Sequence, residues 1–404
     1  MASRDLCQLI DAFNSGELLR PAADTMNLVD LANAIAFLAG AGDLNLTSGA
    51  RRLIDLIGPS THLVFILADG FGMNFVEEMD NEAFIPTQLS MELQTVFPST
   101  TSAALTTLAT AKWPGTHAVL GWFLYLPVID AVTTILRFTR TSDGTDLSKL
   151  GVNPNHAFPQ QSWMAQIQRE SLSLFPEVIL PSIYSSYFTN GTRSEGYTGL
   201  KHAMDKIITR TKENDGPTLT YLYWPNIDST CHELGTHHLT TTSTVTELDQ
   251  ELLRLSMRLP KDTKVVLTAD HGLLDANETQ THWIEPGDEL SSCLSKAPSG
   301  DAREVYFAPR DGQKSRFRDR FSSRFENRFI LLTVEEATEL ALFGPEPLSF
   351  KSRERLGDIV AISLGADAIR YRHTHSKSNV MEKKYASHHS GLTPSEMRIP
   401  LIVL

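Results

Sequence analysis

Leu63-Val64-Phe65-Ile66-Leu67-Ala68 is an unbroken apolar run of strand length that ends in Asp69-Gly70-Phe71-Gly72. A strand with one solvated face alternates apolar and polar residues, whereas one apolar throughout is buried on both faces, as in a parallel sheet covered by helices. The pattern recurs. Leu219-Thr220-Tyr221-Leu222-Tyr223-Trp224 leads to Asp228, Val265-Val266-Leu267-Thr268-Ala269 leads to Asp270-His271-Gly272, and Ile399-Pro400-Leu401-Ile402-Val403-Leu404 follows His388-His389. Helices are predicted between the strands over 163–172, 198–211 and 240–257. Strands alternating with helices give an α/β sheet with both faces covered, and ligands of such sheets gather beyond the carboxyl ends of the strands. The acids of these motifs lie at those ends.

Outward from this centre, Leu28, Leu31, Ile35 and Leu38 recur at helical spacing and predict an amphipathic helix over 28–41, with a second helix over 48–56. Both read as an adornment at the N-terminus. After residue 273 the pattern changes to a strand over 303–307, a helix over 312–326, a strand over 329–332, a helix over 334–342 and a strand over 358–362. Pro298-Ser299-Gly300 reads as a turn ahead of the first of these strands, and the polar stretch 373–379 follows the last. Arg316, Arg318, Arg320 and Arg324 interleave with phenylalanines in a way that suggests RNA binding. However, Phe317, Phe321, Phe325 and Phe329 recur every four residues and so line one face of a packed helix, with the arginines as its solvated stripe. The expected division is an N-terminal helical extension over 1–58, an α/β core over 59–273, an α+β insertion over 274–385, and a return to the core over 386–404.

Composition narrows the function classes. The chain has 404 residues, 41% hydrophobic and 21% charged, which suits a large globular fold, and its net charge of −12 disfavours nonspecific binding to nucleic acid or anionic lipid. Cys7, Cys231 and Cys293 form no Cys-x-x-Cys pair and suggest neither a disulfide framework nor a zinc knuckle. Without a secretion-signal pattern or a run long enough to span a bilayer, the sequence reads as a soluble, cytoplasmic protein with no membrane or stable nucleic-acid partner. Its oligomeric state stays open.

Phe97-Pro98-Ser99-Thr100-Thr101-Ser102-Ala103-Ala104-Leu105 opens a second apolar helix with hydroxyls at its start. Thr100 or Thr101 there reads either as an N-cap or as a hydroxyl held beside a phosphate oxygen by the unpaired N–H groups and dipole of the first turn. Asp69, Asp228, His232, Asp270, His271 and the pair His388-His389 each have an ordinary reading as turn formers or hydrogen-bonded histidines. Together they are the carboxylates and imidazoles expected around first-row divalent ions, and two such ions about 3.5–4 Å apart can clamp the attacking and leaving oxygens of a displacement at phosphorus.

Leu67-Ala68-Asp69-Gly70, Phe97-Pro98-Ser99-Thr100-Thr101, Asp228-x-x-x-His232, Thr268-Ala269-Asp270-His271-Gly272 and the run from His389 through Ser390-Gly391-Leu392 to Pro400 resemble, in this order, motifs of the alkaline phosphatase superfamily, in its type I phosphodiesterase/nucleotide pyrophosphatase branch. The resemblance runs from about Leu63 to the C-terminus. It implies an α/β/α sandwich with a mostly parallel central sheet and a small α+β cap inserted before the C-terminal strand.

It also implies two divalent ions, zinc first with Mn2+ or Mg2+ as alternatives. One would be held by Asp69, Asp270 and His271 and contacted by Thr101; the other would be held by Asp228, His232 and His389, with His388 as the alternative. Thr101 is the implied nucleophile, with Thr100 the nearest alternative, and a phosphothreonine the implied intermediate. The substrate would be a small phosphorylated molecule such as a nucleotide, cleaved at a phosphodiester or pyrophosphate bond. Phosphomonoester or phosphonate hydrolysis is the nearest other chemistry, and a catalytically silent, metal-bound binding protein the reading of another class. Two residues depart from the family pattern: Ala104 where relatives carry a phosphate-contacting asparagine, and Cys231 where glycine is usual. Trp113, His117, Trp122 and Tyr125, beyond the nucleophile helix, read as either pocket lining or core.

Overall fold

The computed structural model describes residues 3–21, 25–42, 44, 46–372 and 384–404. The polar stretch 373–379 lies outside the described residues. The apolar run becomes strand β1 (His62–Ala68), buried at every position. It is central to a sheet with β2 (Leu89–Gln94), β6 (Glu170–Pro176), β7 (Ser194–Tyr197), β8 (Thr218–Trp224), β9 (Thr263–Thr268) and β18 (Arg398–Val403), in the order β2-β18-β9-β1-β8-β6-β7. The five strands from β9 to β7 are mutually parallel. β18 runs antiparallel to both its neighbours, β9 and β2. The helices Leu200–Glu213 and Leu239–Ser256 lie close to the predicted ranges and bury one apolar side each. Among the described residues, no helix is long and apolar enough to cross a membrane.

Two consequences of this topology build the site. Asp270, Asp69 and Asp228 follow the adjacent strands β9, β1 and β8, so the parallel arrangement brings three carboxylates side by side. The Asp69 N–H donates to the Trp224 carbonyl and the Asp228 N–H to the Asp69 carbonyl, which locks the strand ends in step. Because β18 is antiparallel, it begins where its parallel neighbour ends. The loop ahead of it, carrying His388 and His389, therefore arrives at the same edge.

A second, antiparallel seven-stranded sheet forms the cap: β3 (Phe123–Leu126), β4 (Ala131–Thr134), β5 (Thr139–Arg140), β12 (Ser299–Gly300), β13 (Glu304–Phe307), β14 (Phe329–Thr333) and β15 (Ile359–Ser363), ordered β14-β15-β13-β12-β3-β4-β5. Three of these strands come from 123–140, so the boundary at residue 274 does not coincide with the edge of this sheet. Ser299–Gly300, expected in a turn, is instead the strand that joins the two segments through Gly300 and Phe123. A side chain at Gly121 would fall within 2.7 Å of the Gly300 backbone, so the junction requires glycine there. The helix Lys314–Phe325 buries Phe317, Phe321 and Phe325 while Arg320 and Arg324 reach Glu289 and Asp288, the packed amphipathic arrangement its spacing predicts. Two small pairings complete the cap side, β10 (Leu274–Asp275) with β17 (Ser387–His388) and β11 (Thr281–Ile284) with β16 (Ala368–Tyr371).

Two local expectations are corrected. The helix over 163–172 is one short turn, Trp163–Gln166, followed by β6, because Leu172 and Leu174 alternate with serines and pair in register with β8. Arg169 fixes the approach by donating to the carbonyls of Leu38, Ser60 and Thr61. The helix Leu28–Leu38 is not an amphipathic adornment. Every residue from Leu28 to Ala36 is buried, since Val29, Ala32, Ala34 and Ala36 pack alongside the expected stripe. Asn33 donates to the Ala111 carbonyl, tying this helix to the end of the helix Thr101–Thr110.

Candidate active site

The stretch from Phe97 enters the helix Thr101–Thr110, all of whose residues are buried. Thr100 occupies the cap position but makes no side-chain cap; its hydroxyl donates instead to Asp301 Oδ2 in the cap at 2.8 Å. Thr101 is the first helical residue, and its Oγ1 lies 3.1 Å from His271 Nε2. Of the two threonines, Thr101 is the one that faces the acids and histidines.

Each of three imidazoles has its Nδ1 against a backbone carbonyl: His271 against Gly272 at 3.1 Å, His232 against Ser387 at 2.8 Å, and His389 against Ser99 at 3.1 Å. A carbonyl can only accept, so Nδ1 carries the proton and Nε2 presents a lone pair. All three Nε2 atoms converge on carboxylates. His271 Nε2 is 3.3 Å from Asp270 Oδ2 and 3.7 Å from Asp69 Oδ1, while His232 and His389 Nε2 lie 3.2 and 3.7 Å from Asp228 Oδ1.

Those carboxylate oxygens are the ones left over. Asp69 Oδ2 accepts from the Tyr223 hydroxyl at 2.5 Å, and Asp270 Oδ1 accepts the N–H groups of Gly70 and His271 at 3.0 Å each. Asp69 Oδ1, Asp270 Oδ2 and Asp228 Oδ1 are buried without a hydrogen-bond partner. Burying an unpaired carboxylate oxygen is costly, and three together facing neutral imidazole nitrogens fit divalent cations. Two sets of ligand atoms close enough to share an ion are Asp228, His232 and His389, and Asp69, Asp228 and His271. Asp270 approaches the second set through its 3.3 Å contact with His271. His388 joins neither: it pairs with Leu274 across β17 and β10, and its Nε2 is buried without a partner.

The electrostatics follow. Burial, reinforced by the charges of Asp270 and Asp228, holds the Asp69 carboxyl well above the usual range, and burial also raises Asp270. Burial opposes ionisation of Asp228, but in the metal-free protein pairing with protonated His232, and to a lesser extent the charges of His389 and His271, outweighs it and holds the carboxyl below the usual range. Burial and the neighbouring His271 push His389 well down. The Gly70 turn has φ +75°, and a Cβ there would meet the Asp228 backbone at 2.9 Å, so glycine lets Asp69 and Asp228 approach.

Tyr223, Ser387 and Asp301 join the site without a motif of their own. Tyr223 sits within the β8 run, where Thr218, Thr220 and Tyr221 also carry hydroxyls and nothing local sets it apart. Asp301 had no local signal either, since only the fold brings it to Thr100. Of the aromatic candidates, Trp113 is core and His117 is buried between Thr107 and the Val119 N–H, its pKa lowered to about 3 by burial. Tyr125 turns toward Asp130 and Lys296.

Residues 63–390 match the family model for type I phosphodiesterase/nucleotide pyrophosphatase. No curated protein matches the chain. Among solved structures, murine ectonucleotide pyrophosphatase/phosphodiesterase 5, as an inactive threonine-to-alanine variant in complex with AMP, is similar at 16% identity with a TM-score of 0.61, covering 84% of this chain and 87% of its own. The human counterpart has the same coverage, at 14% identity and a TM-score of 0.60. The fold is therefore shared with these alkaline-phosphatase-like structures. With the match extending from β1 to the loop ahead of β18, the chain belongs to the type I phosphodiesterase/nucleotide pyrophosphatase family.

Proposed function

We propose that this protein is a two-metal phosphodiesterase or nucleotide pyrophosphatase that works through a phosphothreonine on Thr101. The observation that carries the reading is the convergence of three Nε2 lone pairs on three partnerless carboxylate oxygens, with the Thr101 hydroxyl 3.1 Å from one of those nitrogens. Asp69, Asp270 and His271 would hold one ion beside Thr101; Asp228, His232 and His389 would hold the other, with Asp228 between the two groups. Bound there, divalent ions such as zinc would lower the hydroxyl's pKa and neutralise charge on the phosphoryl and leaving oxygens.

The chain's own groups do the rest. The helix N-terminus offers backbone N–H groups to phosphate oxygens, a role that matters more because Ala104 has no side-chain donor. The Thr101 oxygen attacks phosphorus in line, the bond to the leaving oxygen breaks, and water then hydrolyses the phosphothreonine. Tyr223 and the Gly70 and His271 N–H groups hold the carboxylates so that their free oxygens stay aimed inward. The murine relative's complex with AMP supports a nucleotide as the substrate class.

The test is hydrolysis of a nitrophenyl diester and a nitrophenyl monoester by zinc-loaded wild type and Thr101→Ala. Diester preference in the wild type and a loss of about 10³-fold or more in Thr101→Ala are expected. Monoester preference would move the protein to phosphomonoesterase chemistry. Metal-replete protein inert to both esters would favour the silent binding protein, and undiminished Thr101→Ala would overturn the nucleophile.

A further inference from the structure

Thr100 stands where a helix cap belongs and does not act as one. Its backbone is extended, φ −131° and ψ 145°, and its carbonyl accepts the Ala104 N–H at 3.0 Å, so only the side chain departs from the capping arrangement. Elsewhere in the molecule threonine in this position does cap: Thr47 accepts the Ala50 N–H and Thr333 the Glu336 N–H, each at 3.0 Å. The side chain of Thr100, fully buried, instead donates to Asp301 Oδ2 at 2.8 Å. The N–H groups that a cap would take, those of Ser102 and Ala103, meet no other acceptor among the described residues.

Asp301 is aimed by the turn that carries it. It follows β12, its N–H donates to the Glu304 carbonyl at 2.8 Å, and its Oδ1 accepts the Ala302 N–H at 2.8 Å, which leaves Oδ2 for Thr100. Gly300 ahead of it has φ +103°, and a Cβ there would come within 2.6 Å of the Glu304 carbonyl oxygen, so the tight turn needs glycine. The Ile369 N–H donates to the Ala302 carbonyl at 2.7 Å and the Arg303 N–H to Ser390 Oγ at 3.1 Å, which fixes the turn from both sides. A rigid carboxylate from the cap sheet thus holds a hydroxyl away from the helix that begins at Thr101.

We propose that Asp301 is a positioning residue that acts through Thr100: by drawing that hydroxyl aside it keeps the helix uncapped, so that the Ser102 and Ala103 N–H groups stay free for the phosphoryl oxygens when Thr101 attacks. This rests on the assignment of Thr101 as nucleophile at that helix start. Without Asp301 the hydroxyl turns back onto those donors, and the phosphoryl group must displace it in order to bind. Ala104 supplies no side-chain donor, so the loss would not be made good from its position.

The test measures Asp301→Ala in two backgrounds, the wild type and Thr100→Val, whose side chain has the shape of threonine and no hydroxyl to cap with. With zinc-loaded protein and the p-nitrophenyl ester of thymidine 5′-monophosphate, Asp301→Ala is expected to lower kcat/KM about 3- to 30-fold, the worth of a helix cap, and to raise the Kd of inorganic phosphate by a similar factor. In the Thr100→Val background the same substitution should change neither quantity by more than about twofold. Asp301→Asn, whose amide still reaches the Thr100 oxygen, should lose less than Asp301→Ala. Equal losses in both backgrounds, or no loss in either, would overturn the proposal, because a role in folding or a charge acting directly on the metal groups does not depend on the Thr100 hydroxyl. Should Asp301→Ala fail to hold its zinc, Asp301→Ser, too short to reach Thr100, carries the same comparison.

Calorimetric binding of inorganic phosphate separates this inference from the catalytic reading. If the wild type hydrolyses no ester, the catalytic reading fails. Phosphate affinity that Asp301→Ala weakens and the added Thr100→Val restores would still sustain the role of Asp301, whereas a wild type that binds no phosphate, or an affinity unmoved by Asp301→Ala, would overturn it.

Discussion

Asp69, Asp270 and His271 have side chains no more than 2% exposed, whereas Asp228, His232 and His389 are 15%, 19% and 7% exposed. Both groups combine carboxylates with a neutral imidazole nitrogen, so the difference lies in construction. The closed group is assembled from the ends of β1 and β9 and fastened by Tyr223 and by two backbone N–H groups. The open group comes from a helix, Asn226–Leu234, and from the loop ahead of β18, and its surroundings include the cap through Tyr385. On the proposed assignment Thr101, as nucleophile, would use the first environment, where a dry, fixed setting strengthens every electrostatic interaction on it. A leaving group and an incoming water need the second.

The two groups differ most at the adjacent histidines His388 and His389. His389→Ala should remove one zinc per chain, the more exposed one, and cost about 10³-fold or more in turnover, while His388→Ala should keep wild-type metal content and lose less than about tenfold. Metal analysis with kinetics on both variants decides it, and the reverse pattern would assign the open group to His388.

The next effect concerns how the open group is held. Arg303 and Glu396 form a fully buried pair, Nε to Oε1 at 2.5 Å and Nη2 to Oε2 at 3.0 Å. Glu396 also accepts the Gly391 N–H, the Arg303 N–H donates to Ser390, and Ser99 donates to the Gly391 carbonyl. The pair thereby braces the loop of His389 against both the cap and the stretch from Phe97 to Thr101. Arg303→Met leaves a buried carboxylate without its cation and should cost about 3–5 kcal/mol in urea unfolding. Titration with a chelator should then strip the open group's zinc at a lower chelator concentration than in the wild type, with the closed group's zinc little affected. Equal weakening of both would mean that the two groups share one scaffold.

The closed group was the more legible in sequence, and for a physical reason. Its residues directly follow strands whose apolar runs announce themselves, as in Leu67-Ala68-Asp69-Gly70 and Ala269-Asp270-His271-Gly272, so strand periodicity also locates the ligands. The open group needed the fold: His389 reaches Asp228 only because β18 runs antiparallel, which no local pattern encodes. The same limit explains the other corrections. Glu170–Pro176 is a strand because β8 offers it an in-register partner, and Leu28–Ala36 is buried at every position because the helices Ser48–Ile57 and Thr101–Thr110 pack on it. The cap sheet joins 123–140 to 299–363 through Gly300 and Phe123, a contact between segments far apart in the chain.

The smallest expected effect is the one that separates the groups by sign. In chelator-treated protein the Asp69 carboxyl is held well above its usual range by burial and by Asp270 and Asp228, so the native state keeps a proton that the unfolded chain has released. The unfolded state then binds fewer protons, and stability falls as pH rises above about 4 toward the raised native pKa. His389 works the opposite way. Burial and His271 depress its pKa, so below about pH 6.5 the unfolded chain takes up a proton that the native state refuses, and stability falls as pH falls. Asp69→Asn should therefore stabilise the metal-free protein more at pH 8 than at pH 5, and His389→Gln more at pH 5 than at pH 8, each by about 1–2 kcal/mol in urea unfolding. If both variants shifted stability in the same direction with pH, the closed and open groups would be one electrostatic unit, and the division of labour between nucleophile and leaving group would have to rest on exposure alone.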